Sequence, residues 1–346
     1  MKSGKIFTVV SLLQLLSLVT SQDENCTSTC STLLFSPHTT VCFEIHCLPL
    51  LDEETEILNI AESTLEDIPE NAFLYLTNLT QIHIADCTIG KLKSYSFNAT
   101  YNIIDIFIHH SNIRTVESFA FGKSTFAKGG KLNTYQLLIG TIESFAFDGI
   151  SDMETLTFYA TNITTIESKA FYKISSCESF QIYHSTITNL KSLALDGFTE
   201  MKNVRIFSCT IMNLERNTLD AFQSDMGSDF MFFYISVDCV CDITWIFSVK
   251  SSFPDFPLNG IGCTMDSVFE GATLDTLNVT DICRSSETDD TKIPSTESSV
   301  TVTTPNEDTN TTTELPNPGT ASLLSPSITL IQCVVFASVL WHAIQY

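Results

Sequence analysis

Basic residues are scarce in this chain. It holds 17 Lys and Arg against 40 Asp and Glu in 346 residues, a formal net charge of −23. That balance argues against nucleic acid and against an anionic membrane surface as partners. Catalytic phrases are also lacking: there is no P-loop, no His-Glu-x-x-His, no nucleophile elbow and no glycine-rich dinucleotide turn. Neither catalysis nor a cofactor is therefore expected. A third absence lies at the C-terminus, where no Lys or Arg follows the apolar run from Ile328 to Ile344, so nothing there would hold a span on the cytoplasmic side.

Both ends instead carry addresses. Lys2 and Lys5 precede an apolar run from Ile6 to Val19 that closes on Val19-Thr20-Ser21, the order of a secretory signal peptide. The small residues Gly319-Thr320-Ala321-Ser322, a short spacer and the apolar tail resemble a glycosylphosphatidylinositol (GPI) signal with attachment at Gly319; a single-pass span is the alternative. Residues 285–321 are rich in Ser, Thr, Pro and acidic residues, a composition that cannot bury a core and reads as an O-glycosylated stalk. Six acceptor tripeptides, at Asn25, Asn78, Asn98, Asn162, Asn278 and Asn310, fit N-glycosylation along the secretory route.

Between the ends the chain repeats itself. The phrase Thr141-Ile142-Glu143-Ser144-Phe145-Ala146-Phe147 has near copies starting at Thr115 and Thr165. Marker positions fall at Ile68, Leu92, Val116, Ile142, Ile166, Leu190 and Leu214, steps of 24 residues with a single 26. Ten residues before most markers sits an alternating pair, such as Leu58-x-Ile60, Ile82-x-Ile84 or Phe180-x-Ile182; period two puts both residues on one face of a strand. A small residue follows (Ser63, Cys87, Ser111, Thr161, Ser185, Cys209), then an aliphatic one (Leu65, Ile89, Ile113, Ile163, Ile187, Ile211). Phe73, Phe97, Phe121, Phe147 and Phe171, replaced later by Leu195 and Leu219, lie five residues past each marker and imply a stacked spine.

These units resemble leucine-rich repeats (LRRs), with Asn of the phrase L-x-x-L-x-L-x-x-N/C-x-L mostly replaced by Ser, Thr or Cys. The resemblance implies an α/β-type repeat solenoid: a horseshoe with a parallel concave β-sheet and a largely irregular convex side. Repeat four departs, with Leu132 and Thr134 in the strand slots, Leu137 in the small-residue slot and two extra residues upstream. Its glycine-rich, basic segment Phe121 to Lys131 is expected to be a solvated insertion, or a binding loop carried by the scaffold.

Cysteines bracket the repeats. Cys26, Cys30, Cys42 and Cys47 precede them; Cys239, Cys241, Cys263 and Cys283 follow, with Asp242 and Trp245 after the Cys-x-Cys. In a chain with a signal peptide, disulfides are favoured over metal. The second set resembles the C-terminal cap of extracellular LRR proteins, which implies Cys239–Cys263 and Cys241–Cys283. The first set resembles the N-terminal cap but lacks its Cys-x-Cys, which leaves its pairing open. The C-cap phrase is also similar to that of arthropod secreted LRR proteins, among them the non-catalytic subunit of a shrimp luciferase. Cys87 and Cys209 sit five rows apart, roughly 24 Å at the strand spacing and too far for a disulfide. With Cys177 they are expected to be buried thiols; Cys333 leaves with the tail.

Six segments follow: a signal peptide over 1–21, an N-terminal cysteine cap over 22–52, about seven repeats over 53–228, a C-terminal cap over 229–284, a stalk over 285–321 and the GPI tail over 322–346. The expected partner surface is the concave sheet. Its outward positions are lined by His83, Phe107, His109, His110, Tyr135, Tyr159, Tyr183, His184, Arg205 and Phe207. Eight strands span on the order of 600 Å², close to the ~800 Å² per partner of a protein interface. An extracellular protein or glycan is the expected ligand, bound by a cell-surface recognition or adhesion protein. The alternatives are aromatic pairs that only stabilise the sheet, and an accessory subunit of a secreted enzyme. The four outward histidines (His83, His109, His110, His184) leave open a pH-sensitive grip.

Overall fold

The computed structural model describes residues 26–98, 102–199, 201–219, 229–252, 256–265 and 267–287. The leader, Asn25, most of the stalk with Asn310, Gly319, Cys333 and the C-terminal tail lie outside these residues. Two units divide the chain, Met1–Ile293 and Pro294–Tyr346, and only the first contains described residues.

Each turn of the solenoid opens with a short strand, and successive turns pair in parallel with residues one repeat apart in register: Leu58 with Ile82, Ile82 with Ile106, Leu156 with Phe180, Val204 with Phe230. Ten strands form this first sheet, from the N-terminal hairpin Cys30–Leu33 and Ser36–Phe43 to Asp229–Phe233. Alternation sends Leu58, Ile60, Ile82, Ile84, Phe158, Phe180 and Ile206 to the core, none more than 1% exposed. A lone repeat could not cover them.

The strand ends at a corner. The next residue (Glu62, Asp86, His110, Gln136, Ala160, His184 or Ser208) takes left-handed φ between 47° and 56°, and its N–H donates to a carbonyl of the following turn, as Asp86 does to His109 at 3.2 Å. Two residues past the strand, the small-residue slot bonds the backbone of its own turn and of the preceding one. Ser111 Oγ donates to its own strand's His109 carbonyl at 2.8 Å and accepts Cys87 N–H at 3.0 Å; Ser185 repeats this with Tyr183 and Thr161. Cys87 and Cys209 fit the slot by donating Sγ–H to Ala85 and Phe207 carbonyls at 3.1 and 3.3 Å. Desolvation pushes both thiols, and that of Cys177, up to about 11. All three are buried and free, as expected.

Beyond the corner lies a second parallel sheet of nine strands, from Thr64–Ile68 to Thr210–Leu214 and on to Ile235–Val237 and Ile261–Cys263 in the C-terminal cap. Its partners run Thr64↔Thr88, Leu65↔Ile89, then Asp67↔Lys91 and Ile68↔Leu92, skipping Glu66 and Gly90. That skip, repeated row after row, lets Leu65 and the marker Ile68, three residues apart, both face inward. The convex return carries a second left-handed column, including Asn71, Tyr95, Phe119, Phe145 and Lys169. Beneath it the expected spine is continuous, with ring centroids 5.3, 4.5, 4.9 and 5.0 Å apart from Phe73 through Phe97, Phe121 and Phe147 to Phe171. Among the described residues the helices α1 (Ile246–Ser252) and α2 (Val279–Glu287) lie in the C-terminal cap.

Repeat four corrects one expectation. Its glycine-rich segment is not a solvated loop: Thr125–Tyr135 is one strand, with Phe121 and Phe126 each 2% exposed. Pairing jumps from Ser151↔Thr125 to Met153↔Gly130, so the extra residues form a bulge that shows Lys128 to solvent. A Cβ on Gly130 would meet the Ile103 carbonyl at 2.9 Å, which is why glycine stands there. The Thr134 and Leu137 departures offset each other. Thr134 Oγ1 donates to the Thr157 carbonyl at 3.2 Å and lies 3.4 Å from Thr161 Oγ1, while Leu137 fills the slot at 1% exposure.

Disulfides close both caps. Cys239–Cys263 and Cys241–Cys283 pair as the family resemblance implied. At the N-terminus the open question resolves into nested bridges, Cys26–Cys47 and Cys30–Cys42, the latter joining the two strands of the hairpin.

Candidate functional site: the outer face of the first sheet

Strand parity turns alternate side chains away from the core. In one column His109, Tyr135, Tyr159, Tyr183 and Phe207 stand in adjacent rows in direct register, and Ala61 and Ala85 continue it toward the N-terminus. All five rings are half-buried or exposed, Tyr159 being 38% exposed. The inner column brings His83, Phe107, Asn133, Thr157, Gln181 and Arg205 into line, each half-buried. None of the residues expected on this face has gone into the core.

His110 and His184 differ from the expectation in one respect. They occupy the left-handed corner rather than the strand, so they stand exposed on the rim of the sheet. Both still touch the aromatic column: His110 meets Tyr135 edge-on at 5.4 Å and His184 meets Tyr159 edge-on at 5.4 Å. Other rings of the face also touch. Phe107 stacks on His109 at 4.8 Å, Tyr135 on Tyr159 at 5.4 Å with planes 10° apart, and Tyr183 meets Phe207 at 6.2 Å. Such pairs stiffen a sheet and hold each ring in place.

Three further residues extend this face into the cap. Met231 and Phe233 occupy the next row, paired with Arg205 and Phe207. Tyr234, 64% exposed, takes the following left-handed corner and meets Phe207 edge-on at 5.2 Å. Carrying the two columns one row beyond Arg205 and Phe207 along Phe230-x-Phe232 would have found them.

Electrostatics vary along the face. His83 Nε2 lies 3.9 Å from Asp105 Oδ2; burial holds the imidazole pKa down and pushes the Asp105 carboxyl up, the latter opposed by Lys131 and by a hydrogen bond from Asn133. His109 and His110 bring their Nδ1 atoms to 2.9 Å, a contact in which one ring donates and the other offers a lone pair. Among the described residues, no group of three or more His, Cys, Asp and Glu is placed to hold a metal ion, and no helix is long and apolar enough to cross a membrane.

The acceptor asparagines lie elsewhere. Asn78 is exposed in the turn before the strand Gln81–Ala85, and Asn98 is half-buried beside the convex return, where its amide donates to Asn71 Oδ1 at 3.3 Å. Asn162 is exposed on the second sheet. Asn278 accepts Asp281 N–H at 2.9 Å at the start of α2. None of these four stands on the first sheet.

A repeat-family profile agrees with this geometry. The profile of the BspA type leucine rich repeat region matches in six copies, over residues 53–134 and 122–224. Thyrotropin receptors of Sus scrofa and Mus musculus are 35% and 33% identical over 81 residues, 23% of this chain and 10% of theirs. The chain thus spans about a tenth of the length of these curated relatives. Among solved structures, human 5T4 (Wnt-activated inhibitory factor 1, trophoblast glycoprotein) is similar at 13% identity and a TM-score of 0.41, over 75% of this chain and 100% of that one. Residues 53–224 are therefore leucine-rich repeats, matched by the BspA type profile and stacked into a parallel two-sheet solenoid between disulfide-bonded caps.

Proposed function

We propose that this is a cell-surface recognition or adhesion protein that grips an extracellular protein or extended glycan on the outer face of the first sheet. The observation that carries this is the row of rings from His109 through Tyr135, Tyr159 and Tyr183 to Phe207, continued by Tyr234. Contiguous exposed apolar surface marks interaction sites, and Tyr anchors them well because a large ring is fixed at little entropic cost. The rings are already held by their neighbours, so a partner would meet a preorganised surface. Breadth favours a macromolecule, and no acceptor asparagine among the described residues would place a glycan on this face.

Four disulfides call for folding in an oxidising compartment. The short likeness to receptors for thyrotropin is in keeping with a recognition role. Attachment through a GPI anchor at Gly319 rests on the tail pattern. A phosphoinositide-specific phospholipase should release the full chain from expressing cells; retention on the membrane would remove the anchor from this reading.

The binding face is tested on arrayed extracellular proteins and glycans, probed with the released protein and with Tyr159→Ala/Tyr183→Ala. Loss of two anchors of about 1–2 kcal/mol each should weaken a specific signal tenfold or more. A variant that binds as the native chain does would move the site off this face.

A further inference from the structure

The second sheet presents its own outward column. The first residue of successive strands reads Thr64, Thr88, Asn112, Leu138, Asn162, Thr186 and Thr210. Every member is polar except Leu138, which is 51% exposed. Leu138 is in direct register with Asn162 on the neighbouring strand, and side chains so placed stand about 4.8 Å apart on one face. Asn162 opens the acceptor tripeptide Asn162-Ile163-Thr164. Its exposed side chain makes no hydrogen bond among the described residues, unlike those of Asn98 and Asn278. Beside it runs a shallow groove of about 300 Å³, lined among others by Asn112, Leu138, Gly140, Thr164 and Thr186. Gly140, on the same strand as Leu138, lets the neighbouring turn approach closely, since a Cβ there would meet the Arg114 carbonyl at 2.3 Å.

We propose that Asn162 carries an N-linked glycan whose first N-acetylglucosamine lies in this groove with its apolar face on Leu138. The leucine is then covered by sugar rather than by a protein partner, and the hydroxyls and amides around it meet the sugar's polar edge. The part of Leu138 that the fold leaves exposed is the apolar surface that a sugar attached one strand away would cover. The same glycan would close the second sheet to other proteins and leave the first sheet as the open face. This inference rests on the secretory reading made above.

The test uses the full chain expressed in animal cells. Glycopeptide mass spectrometry should find Asn162 occupied, and Asn162→Gln should lower the melting temperature by about 2–4 °C. In a Leu138→Thr background, which matches the rest of the column and so leaves the fold intact, that drop should vanish. Occupancy at Asn78 with none at Asn162 overturns the proposal while sparing the secretory reading. Occupancy at no site overturns both. An equal drop in the two backgrounds, or none in either, shows that the sugar does not pack on Leu138 and also overturns it.

Discussion

Ser111 shows how much one side chain does in this molecule. Its hydroxyl satisfies the His109 carbonyl and the Cys87 N–H together, and at 3% exposure no water would replace either bond. Leaving such groups unpaired costs about 1–3 kcal/mol, which is why a hydroxyl or thiol recurs at this slot. His83 is the residue at which pH should act. Burial lowers its pKa, so the fold favours the neutral ring. The stability this brings is fully present above the unfolded value near 6.5 and is lost as pH falls from there through the lower value of the folded state. Nearby Asp105 offsets part of that loss through its charge at 3.9 Å, although desolvation pushes that carboxyl the opposite way. Melting temperatures at pH 7.5 and 5.5 should therefore fall further for the native chain than for His83→Gln. Equal falls would place the pH sensitivity elsewhere.

At the scale of one turn, the exchange in repeat four is the informative element. Rows on either side carry an aliphatic or aromatic residue in the strand and a hydroxyl in the slot; here Thr134 and Leu137 reverse the order. Thr134→Ile alone removes the bond to Thr157, and Leu137→Ser alone empties a buried site, a change worth about 2–4 kcal/mol. Made together they restore the pattern of the other rows, with a slot hydroxyl again between Ser111 and Thr161. Urea unfolding of the four species should show the double variant more stable than the sum of the singles by about 0.5–3 kcal/mol. Additive losses would mean that the two positions are independent. The alternating strands, the markers and the Phe spine were all legible, because a period of two or of 24 repeats visibly. The second sheet was hidden, since its inward residues are three apart around an unpaired one, a spacing that alternation rules do not register.

Over the whole molecule, the two sheets end differently. The N-terminal hairpin supplies the first sheet's closing strands, whereas the C-terminal cap extends the second sheet with Ile235–Val237 and Ile261–Cys263. Each cap so covers an edge that would otherwise be open to pairing. Cys241–Cys283 ties α2 to the start of the C-terminal cap across 42 residues. Replacing both cysteines by serine should cost about 2–5 kcal/mol. Hydrogen exchange should rise first in Ile261–Cys263 and spread inward row by row, as nearest-neighbour stacking requires. Uniform exchange along the solenoid would show that the cap does not hold that end.

The sequence by itself determined the period, the inward and outward faces of the first sheet, the spine and the cysteine groups at each end. Those features depend on local spacing, and a side chain's face in a strand follows from parity alone. Tertiary structure alone decided the left-handed corners, whose residues range from Ala160 to His184 with no shared chemistry. It also decided the nested N-terminal bridges, the strand made from the glycine-rich segment, and the meeting of Leu138 with Asn162. Each of these arises from contact between turns, where a neighbour one repeat away supplies the carbonyl, the sulfur or the packing face that the local chain lacks.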